Sequence, residues 1–274
     1  MQKSMDNCLE LHAKEALVKI KELSLGFSNG KFEKKIFDGI SVEAVAGELI
    51  ALIGSNGRGK STLLRTLTGL QNIFEGSVLY DDKKIGDFSS KELSRMIAFV
   101  SSRTERANHL IVRDMLGINC YYKTNWLGNI AEEDSTRISQ ALEMVGLAGF
   151  EERNSFDLSD GEYQRATIAA AIVQDSKIII LDEPTAFLDI ANRFIITRLL
   201  RDIAHKWGKL IIFSTHDLQL AIDMCDKIWL MAYDGFYCDT PENLMNNRAF
   251  EKLFEDSRMV FNKRTRAFEM KTSE

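Results

Sequence analysis

The sequence predicts an α/β chain with a mainly parallel sheet, and a helical segment inserted into that frame. Three observations point to this. Short apolar runs at Leu49–Ile53, Ile178–Leu181 and Leu210–Ser214 have the texture of strands buried on both faces, as in parallel sheets. These runs alternate with stretches of helical spacing, the pattern of strand–helix–strand units. From about Asp87 to Arg165 the texture changes, and charged helical stretches dominate.

In chain order, Leu17 to Leu25 alternates apolar and polar residues and predicts an early strand, followed by a turn with charged flanks at Gly26 to Lys35. Ile40–Val45 and then Leu49–Ile53 predict two further strands. A Gly-rich loop leads into helical spacing from Ser61 to Leu70, and Ser77–Tyr80 is a short strand. Within the inserted segment, Lys91–Met96 and Thr136–Val145 are helical, and Ile97–Val100 is a strand. Ala166–Gln174 continues as helix into the strand Ile178–Leu181. From Gly235 the tail predicts a short strand, a turn at Pro241 and a helix through Phe254. Pro184 and Pro241 are the two prolines, so no Pro-rich linker divides the chain. One domain is expected, with a core from approximately 15–86 and 166–240, a helical part at 87–165 and a tail at 241–274.

With 274 residues, the chain is long enough to bury a sizeable core. A formal net charge of −5 makes it a poor default binder of nucleic acid or anionic lipid, so any phosphate site must be built locally. Cys8, Cys120, Cys225 and Cys238 are scattered without metal-ligand spacing, which predicts reduced thiols. No apolar run approaches the roughly 20 residues of a membrane helix. Met1 to Lys14 has no apolar stretch of signal-peptide length. A soluble protein is expected, with any membrane role played through a partner.

Two segments carry chemistry. Gly54-Ser55-Asn56-Gly57-Arg58-Gly59-Lys60-Ser61 fits the G-x-x-x-x-G-K-[ST] pattern between an apolar strand and a helix. Glycines let the backbone approach phosphates, loop N–H groups point at phosphate oxygens, and the helix N-terminus, with Thr62 in its first turn, adds partial positive charge. Lys60 supplies full charge to the β- and γ-phosphates, and Ser61 a hydroxyl to Mg²⁺. The strand Ile178–Leu181 then ends in Asp182-Glu183-Pro184-Thr185. Asp182 suits Mg²⁺, directly or through water, and Glu183 is placed to polarise an attacking water.

Leu158-Ser159-Asp160-Gly161-Glu162-Tyr163-Gln164-Arg165 resembles the signature motif of ABC (ATP-binding cassette) transporter ATPases. Ala186-Phe187-Leu188-Asp189 resembles that family's loop after the acidic strand, with Asp189 its carboxylate, and Ser214-Thr215-His216-Asp217 its switch histidine at His216. Phe27 stands where the family places an aromatic residue on adenine. Read from the residues alone, Ser159-x-x-Glu162 is a capping box that starts a helix. The resemblance implies a P-loop NTPase core with an N-terminal antiparallel β subdomain and an inserted α-helical subdomain. It also implies ATP and Mg²⁺ as ligands, and a head-to-tail homodimer in which Ser159 and Gly161 meet the γ-phosphate held by the other copy. The partners implied are integral membrane permease subunits and, indirectly, a substrate-binding protein, with the chain peripheral at the cytoplasmic face of the inner membrane. His12, His109 and His205 lack such context and are expected to be surface or packing residues.

Two departures stand out. Asp160 replaces the first of two signature glycines, and is expected to point outward. Where the family has a glutamine after the strand Ile97–Val100, Ser102 falls nearest, a shorter group whose hydroxyl could approach Mg²⁺ through water. Gly117-Ile118-Asn119-Cys120-Tyr121-Tyr122-Lys123-Thr124-Asn125-Trp126-Leu127-Gly128 and the tail resemble importers of iron–siderophore, haem and cobalamin, which implies metal-chelate import. The competing readings are an ATPase of another transporter class, a non-transport ABC ATPase acting on DNA or ribosomes, and an ATP-binding module with weak hydrolysis.

Overall fold

The computed structural model describes residues 15–28, 33–102, 106, 109–120, 132–186, 188–254 and 259–270. In order these form β1 (Ala16–Ser28), β2 (Glu33–Val45), β3 (Leu49–Gly54), α1 (Lys60–Leu67), β4 (Glu75–Tyr80), β5 (Lys83–Lys84), α2 (Ser90–Met96) and β6 (Ile97–Val100). There follow α3 (Val112–Gly117), α4 (Glu132–Met144), α5 (Asp160–Gln174), β7 (Ile178–Leu181), α6 (Ile190–Trp207), β8 (Leu210–Ser214) and α7 (Leu218–Met224). The chain closes with β9 (Lys227–Met231), β10 (Phe236–Asp239), α8 (Pro241–Asn246), β11 (Met259–Asn262) and β12 (Ala267–Met270).

The central sheet has the order β10-β9-β3-β8-β7-β6. Its strands run parallel except β10, which pairs antiparallel with β9. Every residue of β3, β7 and β8 is buried, which is why these strands stand out as unbroken apolar runs. Their side chains alternate between two cores. Leu49, Ala51, Ile53, Ile179, Leu181, Ile211 and Phe213 meet α5 and α6 on one face. Ile50, Leu52, Ile178, Ile180, Leu210 and Ile212 meet α1 and the second sheet on the other. That second sheet, β2-β1-β4-β5, is antiparallel.

The antiparallel β part and the mainly parallel sheet are both as expected. Two details differ. β1 extends to Ser28 and β2 begins at Glu33, so both ends of the stretch Gly26 to Lys35, expected as a turn, are strand, and residues 29–32 lie outside the described residues. Long strands persist there because Leu25, Gly26 and Phe27 pair with Phe37, Lys35 and Lys34. The helix expected through Phe254 ends at Asn246, Arg248 takes a left-handed φ of 56°, and a 3₁₀ turn follows at Ala249–Leu253. The helix α5 starts at Asp160 with Ser159 as its N-cap, as the Ser159-x-x-Glu162 capping box predicts, and continues through Ala166–Gln174.

Cys225 is buried and Cys238 half-buried, and both are free thiols, the second pushed up to about 11 mainly by burial. Met1 to Lys14, with Cys8 and His12, the side chain of Cys120, and the Tyr121–Gly128 part of the aromatic stretch lie outside the described residues. Among the described residues, no helix is long and apolar enough to cross a membrane.

Candidate functional site

Three adjoining strands, β3, β8 and β7, deliver their carboxyl ends to one place. Ligands of open α/β sheets sit beyond such ends. The ends are tied together by backbone bonds. The Thr215 N–H donates to the Leu52 carbonyl at 3.1 Å, and the Asp182 N–H to the Val100 carbonyl at 2.9 Å.

The loop after β3 needs its glycines. A Cβ on Gly54 would lie 3.0 Å from the Met231 carbonyl oxygen, and Gly57 and Gly59 have φ of 78° and 102°. Gly59 is the N-cap of α1 and offers no side chain to its N–H groups, which leaves them for an anion. Lys60 is buried, and its Nζ donates to the Gly54 carbonyl at 2.8 Å. Burial pulls its pKa below the usual lysine value, and the charges of Glu183 and Asp182 partly restore it. Among the described residues this buried ammonium donates only to carbonyl oxygens, which poises it for a strong anion. Ser55 and Arg58 are half-buried, and Asn56 and Gly57 form the exposed crest. Thr62 lies in the first turn of α1.

At the end of β7, the Asp182 Oδ1 accepts from the Ser61 hydroxyl at 3.1 Å and the Ser214 hydroxyl at 2.7 Å. Ser214 in turn accepts from the Glu183 N–H at 2.8 Å. One buried hydroxyl therefore orients both acids. Glu183 has φ of 52°, a left-handed conformation costing a non-glycine residue about 1 kcal/mol. Its Oε1 lies 2.8 Å from the His216 Nε2. The corner between Asp182 and Ser61 offers hard oxygen ligands. Among the described residues no group of three or more His, Cys, Asp or Glu gathers as a self-sufficient cage. This donor set fits Mg²⁺, which takes few protein oxygens and draws the rest from phosphate and water.

The other predicted residues stand apart. The backbone of Phe27 is in β1, paired with Lys34, and its side chain, expected on adenine, lies outside the described residues. Ser102 is exposed just past β6, and no described hydrogen bond joins it to Asp182 or Ser61. Ser159 caps α5 in a capping box: its hydroxyl accepts from the Glu162 N–H at 3.3 Å, and the Glu162 Oε2 accepts from the Ser159 N–H at 2.8 Å. The Ser159 N–H holds the Glu162 carboxyl below the usual range. Asp189 caps α6, accepting from the Asn192 N–H at 2.7 Å. A Cβ on Gly161 would meet the Asn192 side chain at 3.6 Å, so the starts of α5 and α6 are neighbours. Asp160 does point outward, its side chain 74% exposed, and Arg106 pairs with it at 2.5 Å while donating to the Leu158 carbonyl at 2.7 Å. Away from this site, His205 pairs with Asp226 at 2.8 Å.

Sequence reasoning passed over Ser214 and Arg106. A serine ending an apolar strand carries no distinguishing pattern, and Arg106 is recognised only by the acid it meets 54 residues later.

Residues 37–186, more than half of the chain, match the ABC transporter family. A petrobactin import ATP-binding protein of Bacillus anthracis is 32% identical over 235 residues, covering 85% of each chain. Among solved structures, a metal-chelate type ABC transporter in an inward-facing conformation aligns at TM-score 0.75 and 25% identity, covering 93% of this chain and 95% of that one. A dimeric ATP-binding cassette in a post-hydrolysis state with ADP and Pi aligns at TM-score 0.71 and 26% identity, covering 82% and 98%. The chain therefore belongs to the ABC transporter family, as an ATP-binding subunit with that family's ATPase activity.

Proposed function

We propose that this chain powers import of a metal chelate, such as an iron–siderophore, haem or cobalamin, across the inner membrane. It would act as a homodimer on the cytoplasmic face, beneath integral permease subunits fed by a substrate-binding protein. The observation that carries the catalytic part is the cluster at the ends of β3, β7 and β8: Asp182 between Ser61 and Ser214, and Glu183 against His216, beside a buried Lys60. The substrate class is supported by the petrobactin-import relative and the metal-chelate type structure. The paired arrangement is supported by the dimeric cassette.

In this reading the loop 54–61, with Thr62, wraps the triphosphate, and Phe27 serves the adenine. Lys60 neutralises β- and γ-phosphate charge. Mg²⁺ would be held by Ser61 and Asp182, with Ser102 the candidate for a contact through water, and would supply further charge neutralisation. Glu183 orients the attacking water and accepts its proton as the water oxygen bonds to the γ-phosphorus and the bond to the departing ADP oxygen breaks. His216 fixes the Glu183 carboxylate and faces the γ-phosphate. Ser159 and Gly161, at the start of α5, and Asp189 complete the site of a second copy. The signature is carried by the helical part expected at 87–165, of which Ile97–Val100 (β6) joins the central sheet, between core segments 15–86 and 166–240, with 241–274 as tail.

The test is uptake in proteoliposomes holding the co-expressed permease and binding protein. ATP should drive entry of radioiron presented as a siderophore chelate, and Glu183→Gln should abolish it. Hydrolysis without chelate-dependent uptake would reject the substrate class, and co-purification of nucleic acid in place of a permease would reject the transport role.

A further inference from the structure

The phosphate loop is held from outside by the C-terminal part of the chain. The Ser55 hydroxyl donates to the Leu253 carbonyl at 2.9 Å, across 198 residues. One Arg58 guanidinium nitrogen donates to the Ala232 carbonyl at 2.6 Å and the Tyr233 carbonyl at 2.7 Å. The guanidinium also lies 4.8 Å from the centre of the Tyr233 ring and 5.6 Å from that of Phe37. These two anchors flank the exposed crest Asn56-Gly57.

The segments that receive them are tied to each other. The Tyr233 N–H donates to the Lys252 carbonyl at 2.9 Å. Lys252 Nζ reaches Asp234 at 3.0 Å and the Tyr237 hydroxyl at 2.6 Å. Behind them the 3₁₀ turn Ala249–Leu253 and Phe254 rest on the β11–β12 hairpin. Phe250 meets Phe261 with tilted rings at 5.1 Å, and Phe268 meets Phe254 and Phe261 edge to face at 4.9 Å and 5.4 Å. An unbroken set of contacts thus runs from the last strand to the phosphate loop.

We propose that the C-terminal residues 249–254, with the β11–β12 hairpin (259–270), form a positioning element for the phosphate loop, acting through Arg58 and Ser55, so that nucleotide affinity depends on their docking. The physical need is plain. A loop that must turn its N–H groups toward a triphosphate is rich in glycine and floppy when free. Fixing its two flanking side chains from the outer side reduces the ordering that binding would otherwise require. The inference rests on ATP binding at 54–61, and its failure is separable from failure of that reading.

The experiment is equilibrium binding of adenylyl imidodiphosphate with Mg²⁺ to the full chain. Tyr233→Ala removes the ring under Arg58 without touching the loop, and should weaken binding by about two- to fivefold, the scale of one cation–π contact. KM for ATP should rise by the same factor with kcat within about twofold. Tyr233→Phe should bind like the parent. Arg58→Ala should show a loss that Tyr233→Ala does not deepen further. Lys252→Met, which loosens the tail at a half-buried position, should weaken binding in the same direction. In the parent, the analogue should slow amide exchange at Tyr233 and over residues 249–254. Unchanged affinity in both Tyr233→Ala and Lys252→Met, or exchange over 249–254 indifferent to the analogue, would overturn the inference. A parent that binds no analogue would instead overturn the ATP site itself.

Discussion

Ser214→Ala is the perturbation with the most to say about how the two acids are held. Ser214 is fully buried, at 0% exposure. Its hydroxyl donates to the Asp182 carboxylate at 2.7 Å and accepts from the Glu183 N–H at 2.8 Å. Hydrogen bonds to charged groups contribute about 1.5–3 kcal/mol and neutral ones about 0.5–1.5. Alanine removes one of each, so about 2–4.5 kcal/mol of stability should be lost. The upper half applies if no water replaces the hydroxyl, because among the described residues the buried carboxylate then keeps only the Ser61 hydroxyl. Urea unfolding of both proteins would read this as a lower midpoint at unchanged slope. A double-mutant cycle with Asp182→Ala isolates the shared bond, and a coupling of about 1 kcal/mol or more is expected. A loss under about 1 kcal/mol with no coupling would refute the claim that this hydroxyl organises the acids.

His216→Ala should free the Glu183 carboxylate from its 2.8 Å contact, and a misplaced base should slow turnover by about 100-fold; phosphate release at saturating ATP measures it. Lys60 gives a pH signature. Burial lowers its pKa in the free protein, while bound phosphate favours its charged form, so binding takes up a proton above the lowered pKa. ATP affinity should therefore fall as pH rises from that lowered value toward the ordinary 10.5. Lys60→Arg should flatten the slope, because arginine stays charged. Arg106→Ala should lower ATPase activity more than Asp160→Gly does, because it leaves Asp160 uncompensated beside Ser159. Adding Asp160→Gly to Arg106→Ala should restore activity, and steady-state assays of the three proteins decide it.

The frame of the site was legible because β3, β7 and β8 are buried on both faces, and burial on both faces writes itself as apolar runs. The phosphate loop was legible because backbone geometry demands glycine at Gly57 and Gly59. The capping box at Ser159 and Glu162 was legible because helix starts are local events. What escaped depends on partners distant in sequence. Arg58 turns away from the loop's hollow to carbonyls 174 and 175 residues on, and no local pattern announces it. The left-handed Glu183 also has no composition signal, since its conformation is imposed by the Ser214 hydroxyl and the His216 ring. The tail helix broke at Arg248 because the aromatic contacts of Phe250 and Phe254 with the hairpin set the chain's path there.

The most direct test of the central claim, that Glu183 drives hydrolysis at a site whose phosphates are held by the loop 54–61, compares two quantities in one variant. Glu183→Gln keeps the side chain's size and a partner for His216 but removes the base. The account predicts ATP affinity within about twofold of the parent and phosphate release slower by about 100-fold or more. Phosphate release at the parent's rate would contradict it.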